Sequence, residues 1–327
     1  MNLPIRYPEV KVLPASLYTN NRQRVAAWAL ALMVAVLCMV FSLADARAES
    51  ARSIESAYGP VKVEGTPKRI VTLSESALDT ALALGLKPVG TVAARGGDAV
   101  SVYLQEKAGK ISIVGTTREY NLESILAQQP DLILAANGLN KEIYAKLSKL
   151  APTVVAPYTG LDDWRKNVRI YAQALNRGNE AEQALTELDG RIQALRAKLP
   201  AGTTVSVARW NPQGPILMSS KVFTGQILGQ LGLNAPELAD SLGERPHSDV
   251  LSLENLSKID ADWLFLATLN AKGQETLDAA RTQPAFIRLE AVKKGRAAPV
   301  DGQVWTSSTG ILAANSILTD LEKVLLP

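Results

Sequence analysis

Cysteine and histidine are almost absent from this 327-residue chain, which holds one of each, Cys38 and His247. Transition-metal sites built from protein side chains need several such ligands, so the chain is not expected to build one. A single cysteine cannot pair within the chain, which removes disulfide stapling. A Ser-His-Asp triad has only His247 to draw on, and no Gly-x-Ser-x-Gly turn accompanies it. The phosphate loops Gly-x-x-x-x-Gly-Lys-Ser/Thr and Gly-x-Gly-x-x-Gly are also missing. Aromatic residues make up only 5% of the chain, yet 47% is hydrophobic, a globular composition and not a disordered one. The expectation is a protein that binds and does not transform: no catalytic residue, no metal ligand, no resident cofactor.

The net charge of +3 is a property of the amino-terminal segment. Without Arg6, Lys11, Arg22, Arg24, Arg47, Glu9 and Asp45, the remaining chain carries 30 basic and 30 acidic residues. Such a balance offers no footprint for nucleic acid. That first segment, residues 1–48, reads as an export signal: Arg22 and Arg24, an apolar run from Val25 to Ala44, then Ala46-Arg47-Ala48 in small-x-small form. Cleavage after Ala48 gives an exported protein without cysteine. The competing reading is a retained membrane anchor, since the run is about as long as a spanning helix. Lipidation at Cys38 fits poorly because Leu37 precedes it.

One pattern occurs twice. Leu122-Glu123-Ser124-Ile125 leads into Asp131-Leu132-Ile133-Leu134-Ala135-Ala136, and Leu253-Glu254-Asn255-Leu256 leads into Asp262-Trp263-Leu264-Phe265-Leu266-Ala267. Each copy reads as a short amphipathic helix, a turn and a buried strand. Upstream, Leu84-Gly85-Leu86 and Leu231-Gly232-Leu233 match as helix stops. Strands at 69–73, 88–94 and 204–208 with helices at 76–84 and 224–231 give β-α-β order, hence parallel sheets. Two similar lobes imply a cleft between them.

Between the halves, Ala181, Leu185, Leu188, Ile192, Leu195 and Leu199 alternate in steps of four and three, one stripe of a long helix. Asn179 is positioned to cap it and Pro200-Ala201-Gly202 to end it, over roughly 30 Å. Three heptads are marginal for a coiled-coil dimer, so the helix is read as a stiff spine in a monomer.

The fold class is therefore α/β, two Rossmann-like lobes joined by one long helix: 49–176, 177–201 and 202–327. This layout resembles the helical-backbone (class III) periplasmic binding proteins of ABC importers for iron-siderophores, haem and cobalamin. The resemblance rests on Pro67-Lys68-Arg69-Ile70-Val71, Leu84-Gly85-Leu86-Lys87-Pro88-Val89-Gly90, Val114-Gly115, Gln129-Pro130-Asp131-Leu132-Ile133 and the central helix. It implies a ferric siderophore as transported ligand and an inner-membrane ABC permease as partner. In that family one glutamate on each lobe engages permease arginines; the matching positions here are Glu123 and Glu254, which otherwise read as solubilising charges at helix starts.

Candidate ligand residues come from loops at the carboxyl ends of strands, where open α/β sheets bind their ligands. Arg209-Trp210-Asn211 follows the first strand of the second half, and the pair suits an anionic, planar chelate. Ser74 follows the first strand of the first half, with helix capping as its other role. Arg95, Arg245 and His247 sit in later loops; Trp305 is a candidate aromatic wall or a core residue; Tyr158 is a weaker candidate. Two rivals remain open: haem or cobalamin on the same scaffold, haem iron calling on His247 or a tyrosine such as Tyr58 or Tyr103, and an exported hydrolase using His247.

Overall fold

Asp131 and Asp262, the aspartates of the doubled pattern, each brace the first strand of a lobe. Asp131 accepts from the backbone N–H of Lys68 (2.8 Å) and Arg69 (2.9 Å), just ahead of β3 (Ile70–Thr72). Asp262 accepts from the N–H and hydroxyl of Thr204, both at 2.9 Å, just ahead of β8 (Val205–Asn211). Each aspartate also opens the strand that pairs with that first strand: β6 (Leu132–Ala135) lies parallel to β3, and β10 (Trp263–Thr268) parallel to β8.

The computed structural model describes residues 51–326 and, in the amino-terminal segment, only Trp28 and Met33, which are helical and exposed. The signal-segment reading, Cys38 and Ala46-Arg47-Ala48 lie outside the described residues. Two units are distinguished, Met1–Ser50 and Ala51–Pro327, and every element named here belongs to the second. Among the described residues no helix is long and apolar enough to cross a membrane.

A hairpin of β1 (Arg52–Ile54) and β2 (Val61–Val63) precedes the amino lobe. That lobe is a five-stranded sheet in the order β5-β4-β3-β6-β7, all parallel, with β4 (Gly90–Ala93), β5 (Ser112–Thr116) and β7 (Thr153–Val155) completing it. The chain winds outward from β3 in both directions, so the β3–β6 pair is the point where strand order reverses. Its helices are α1 (Glu75–Ala83), α2 (Val102–Ala108), α3 (Leu122–Ala127), α4 (Lys141–Leu147) and α5 (Trp164–Ala174). Leu132, Ile133, Leu134 and Ala135 are all fully buried, as a strand covered on both faces must be.

The long helix, α6 (Gly178–Arg196), starts earlier than its sequence suggests. Its N-cap is Arg177, with no side-chain capping bond, and Asn179 lies inside the first turn. The cause is the preceding tight turn: Asn176 takes a left-handed φ of 58°, which lets α6 begin two residues later. The expected stripe is buried from Ala181 to Leu195, in one core with Trp164, Val168 and the strands of the carboxyl lobe.

The carboxyl lobe repeats the plan incompletely. Its sheet runs β11-β10-β8-β9, where β9 (Gly214–Leu217) is antiparallel to β8 and β11 (Ala297–Asp301) parallel to β10. After Leu231-Gly232-Leu233 the carboxyl lobe has only a single bridge between Thr204 and Asn234, where the amino lobe has β4. Leu253–Ile259 is a 3₁₀ helix and not the α-helix of its counterpart; i→i+3 bonds such as Asn255 N–H to Ser252 O (3.0 Å) close so short a piece. Helices α7 (Phe223–Gln230), α8 (Glu237–Asp240), α9 (Ala271–Arg281), α10 (Pro284–Ile287), α11 (Glu290–Lys293) and α12 (Gly302–Thr306) cover the sheet. The last helix, α13 (Ile311–Leu325), packs on α6, on α7 and back onto α1 and α2 of the amino lobe. Arg191 of α6 fixes it, donating to Asn315, Thr319 and the Glu322 carboxylate.

Candidate ligand-binding site

The carboxyl ends of the amino-lobe strands all open on one crevice. It has a cavity of about 430 Å³ lined by Ser74, Ser76, Arg95, Arg118, Asn137 and Tyr158, among others. These residues follow β3, β4, β5, β6 and β7, so each strand delivers its loop to the same edge. A second cavity of about 370 Å³ continues into the carboxyl lobe, with Arg209, Met218, Phe223 and His247 in its wall. Arg95, Gly160, Ser307 and Thr309 line both. Each lies within the size range of small-molecule sites. Another depression of about 440 Å³ lies within the carboxyl lobe, but its lining holds no basic side chain.

The lobes meet closely at this crevice. Gly96 has φ +82°, and a side chain there would begin 3.2 Å from Leu269 of the carboxyl lobe. Only glycine holds that left-handed turn at that approach, and the turn sets Arg95 at the border of the two cavities.

Arg209 is the chemically unusual residue. It is 5% exposed, and among the described residues its guanidinium makes two contacts of 3.4 Å, from Nη1 to Thr306 O and Oγ1. Among the described residues its Nε has no partner. Burial, then the charge of Arg95, pull its guanidinium down from its ordinary value to about 10. A buried cation with a spare donor facing a cavity is built to receive an anion.

The other sequence candidates divide. Trp210 is 1% exposed and turned away from Arg209, with its ring 5.9 Å from Phe286 in the core behind the sheet. The sequence places Arg209-Trp210 in a loop, but β8 runs on through Asn211, and successive residues of a strand face opposite sides. Trp305 lies in α12, fully buried, stacked 4.5 Å from Phe265 and donating Nε1–H to Asp320 (2.9 Å), and it borders the second cavity from within the core. Arg245 is exposed and pairs with Asp249 at 3.2 Å, outside both cavities. Ser74 caps α1, accepting from the Ala77 N–H at 3.2 Å, and also lines the crevice. Tyr158 is held by Asn167, which donates to its carbonyl (3.0 Å), and Lys166 lies 4.9 Å over its ring. His247 sits on the wall with Nδ1 2.7 Å from Ser248 O, a backbone partner and not a carboxylate. Glu123 and Glu254 are both exposed in the first turns of their helices.

Arg118 and Asn137 escaped the sequence reading, although both follow strands, β5 and β6, and the strand-end rule that selected Arg95 reaches them equally. Among the described residues no three His, Cys, Asp or Glu side chains come together as a metal site.

The profile of the periplasmic binding protein family matches residues 70–303. The probable siderophore-binding lipoprotein YfiY of Bacillus subtilis is 34% identical over 296 residues, 87% of this chain and 91% of its own length. The Fe(3+)-citrate-binding protein YfmC of the same organism is 33% identical, over 84% and 86%. The structure of Staphylococcus aureus SirA complexed with staphyloferrin B superposes with a TM-score of 0.74 at 27% identity, covering 84% of this chain and 98% of that one. Two Rossmann-like lobes on a helical spine, a crevice at the strand ends and these matches have one meaning: the chain belongs to the periplasmic binding protein family, in its helix-linked class III.

Proposed function

We propose that this chain captures an anionic, carboxylate-rich ferric siderophore between its lobes and passes it to an ABC permease. One observation carries the choice of ligand: the buried guanidinium of Arg209, whose Nε has no partner among the described residues, with Arg95 and Arg118 as further cations of the same crevice. Carboxylate oxygens match a guanidinium two by two, and three cations suit a chelate that keeps net negative charge around its iron. The iron is cargo, already wrapped by its chelator, so the scarcity of histidine and cysteine is no obstacle. Relatives named for siderophores and for ferric citrate support this reading.

Ser74, Ser76, Asn137 and Tyr158 would supply neutral hydrogen bonds from the amino lobe, and His247 a rim contact from the other. Glu123 and Glu254, exposed one on each lobe, would meet permease arginines. In this scheme residues 1–48 are removed after Ala48, and lobes 49–176 and 202–327, with helix 177–201, work as a periplasmic monomer. Closure is small, because α6 is anchored at both flanks: Arg165 on α5 donates to Asp189 at 2.6 Å, and Arg191 pairs with Glu322 at 2.8 Å.

The test is an equilibrium titration against ferric citrate, a neutral ferric hydroxamate, haem and cyanocobalamin. The expected result is tightest binding of ferric citrate, weakening with salt as charge pairing requires. Tighter binding of the neutral hydroxamate or of either tetrapyrrole would overturn the ligand class.

A further inference from the structure

The cleft floor is tied to a buried acidic face that ligand capture, as described, does not use. Asp79 on α1 is fully buried, yet no cation is paired with it among the described residues. Its carboxylate accepts from the backbone N–H of Leu312 (3.0 Å) and Ala313 (2.9 Å), the second and third residues of α13, and from the Tyr103 hydroxyl (3.2 Å). These are the orphan donors that a helix normally satisfies from its own N-cap. Here the N-cap is Gly310, which has no side chain to offer. A Cβ at Gly310 would lie 2.2 Å from Asp79 Oδ1, so the glycine makes room for a capping group delivered from the other lobe.

One turn earlier on the same face of α1, Glu75 accepts from the hydroxyls of Ser101 and Ser308. Ser308 stands between Ser307 and Thr309, both of which line the two halves of the crevice. Glu75 and Asp79 together therefore hold the segment from Ser307 to Ala313, from the cleft floor to the helix start.

We infer that Asp79 is a positioning residue: by capping α13 from the amino lobe it fixes lobe separation and the seat of the 307–309 floor. The consequence for ligand rests on the reading of the crevice as the binding site; the consequence for lobe separation does not.

The latch also responds to pH. Burial raises the Asp79 carboxyl from 3.8 to about 7, against the lowering effect of its three donors. The titratable groups facing it are Glu75 on its own helix and Tyr103 on α2, both also raised by burial, with Asp301 acting beyond on Glu75. α13 presents backbone N–H groups to it. A carboxyl that holds its proton more tightly when latched than when wet shifts the equilibrium toward the latched form as pH falls below about 7. One proton sets the ceiling at about tenfold per pH unit.

The experiment measures a distance between nitroxide labels in the full chain carrying Cys38→Ser, with cysteines at exposed Lys146 on α4 and Glu275 on α9. Asp79→Ala should lengthen and broaden the distribution at every pH. Asp79→Asn keeps the shape and one acceptor, so it should hold the native distance without a pH response, while the unsubstituted chain gains latched population from about pH 8 to about pH 5. Affinity for ferric citrate should fall about tenfold or more in the alanine variant and recover most of the way with asparagine. Native distances in Asp79→Ala, or a pH response that persists in Asp79→Asn, would overturn the latch. Separated lobes with unchanged affinity would overturn the positioning role. If the unsubstituted chain binds no ferric citrate while the distances behave as expected, the latch stands and the ligand assignment falls.

Discussion

Replacing Arg209 with methionine should weaken ligand binding and strengthen the fold at once. In the free protein the guanidinium is buried, its Nε is unpartnered and its Nη1 contacts are long, at 3.4 Å. An unmet charged donor in the interior costs on the order of 1–3 kcal/mol. Methionine fills a similar volume without a polar atom, so that cost is largely relieved, less any misfit. For a chain of this size each kcal/mol moves the melting temperature by about 1.5–2 °C, which calls for a rise of a few degrees. Ligand binding moves the other way. One or two charge-assisted bonds at about 1.5–3 kcal/mol each are lost, so affinity for ferric citrate should fall by roughly 10-fold to 10,000-fold. Scanning calorimetry and fluorescence titration on the same preparation give both numbers. A lower melting temperature with unchanged affinity would mean that Arg209 is a structural residue, and the reasoning would fail.

Three further outcomes follow from the same geometry. Glu123→Arg together with Glu254→Arg should abolish uptake by cells while leaving affinity in solution unchanged; a loss of affinity would place these residues in the cleft. Trp210→Ala should cost about 3–5 kcal/mol in urea unfolding, as large core truncations do, without changing ligand affinity more than a few-fold. Asp262→Ala should cost about 1–3 kcal/mol near neutral pH. Hydrogen bonds from Thr204 hold the Asp262 carboxyl below 3.8, so its contribution is full above that ordinary value and is lost as pH falls through the lowered one. The variant and its parent should therefore converge in acid, and a constant difference would contradict the assignment.

Periodicity carried the fold into view before any coordinates. Fully buried parallel strands read as apolar runs, and the paired Asp131 and Asp262 mark where each lobe enters the later strand that lies parallel beside its first. Facing was harder to read. Whether Arg209 and Trp210 share a surface depends on where β8 stops, and a strand reaching Asn211 sends the arginine to the cleft and the tryptophan to the core. Trp305 turns on a similar detail: a short helix, and not a loop, follows β11, and its buried side stacks on Phe265 at the border of the second cavity. The Asp79 latch joins residues 233 positions apart. Its only local trace is an acid on the apolar face of Ala77-Leu78-Asp79-Thr80-Ala81-Leu82, a place where a charge has no reason to be unless a distant donor meets it.

The most direct measurement is to locate iron by anomalous diffraction in crystals grown with ferric citrate. The account places the iron peak in the crevice between the lobes, within reach of a chelate held by Arg95, Arg118 and Arg209. A peak in the glycine-lined depression of the carboxyl lobe, or on the outer surface, would contradict it.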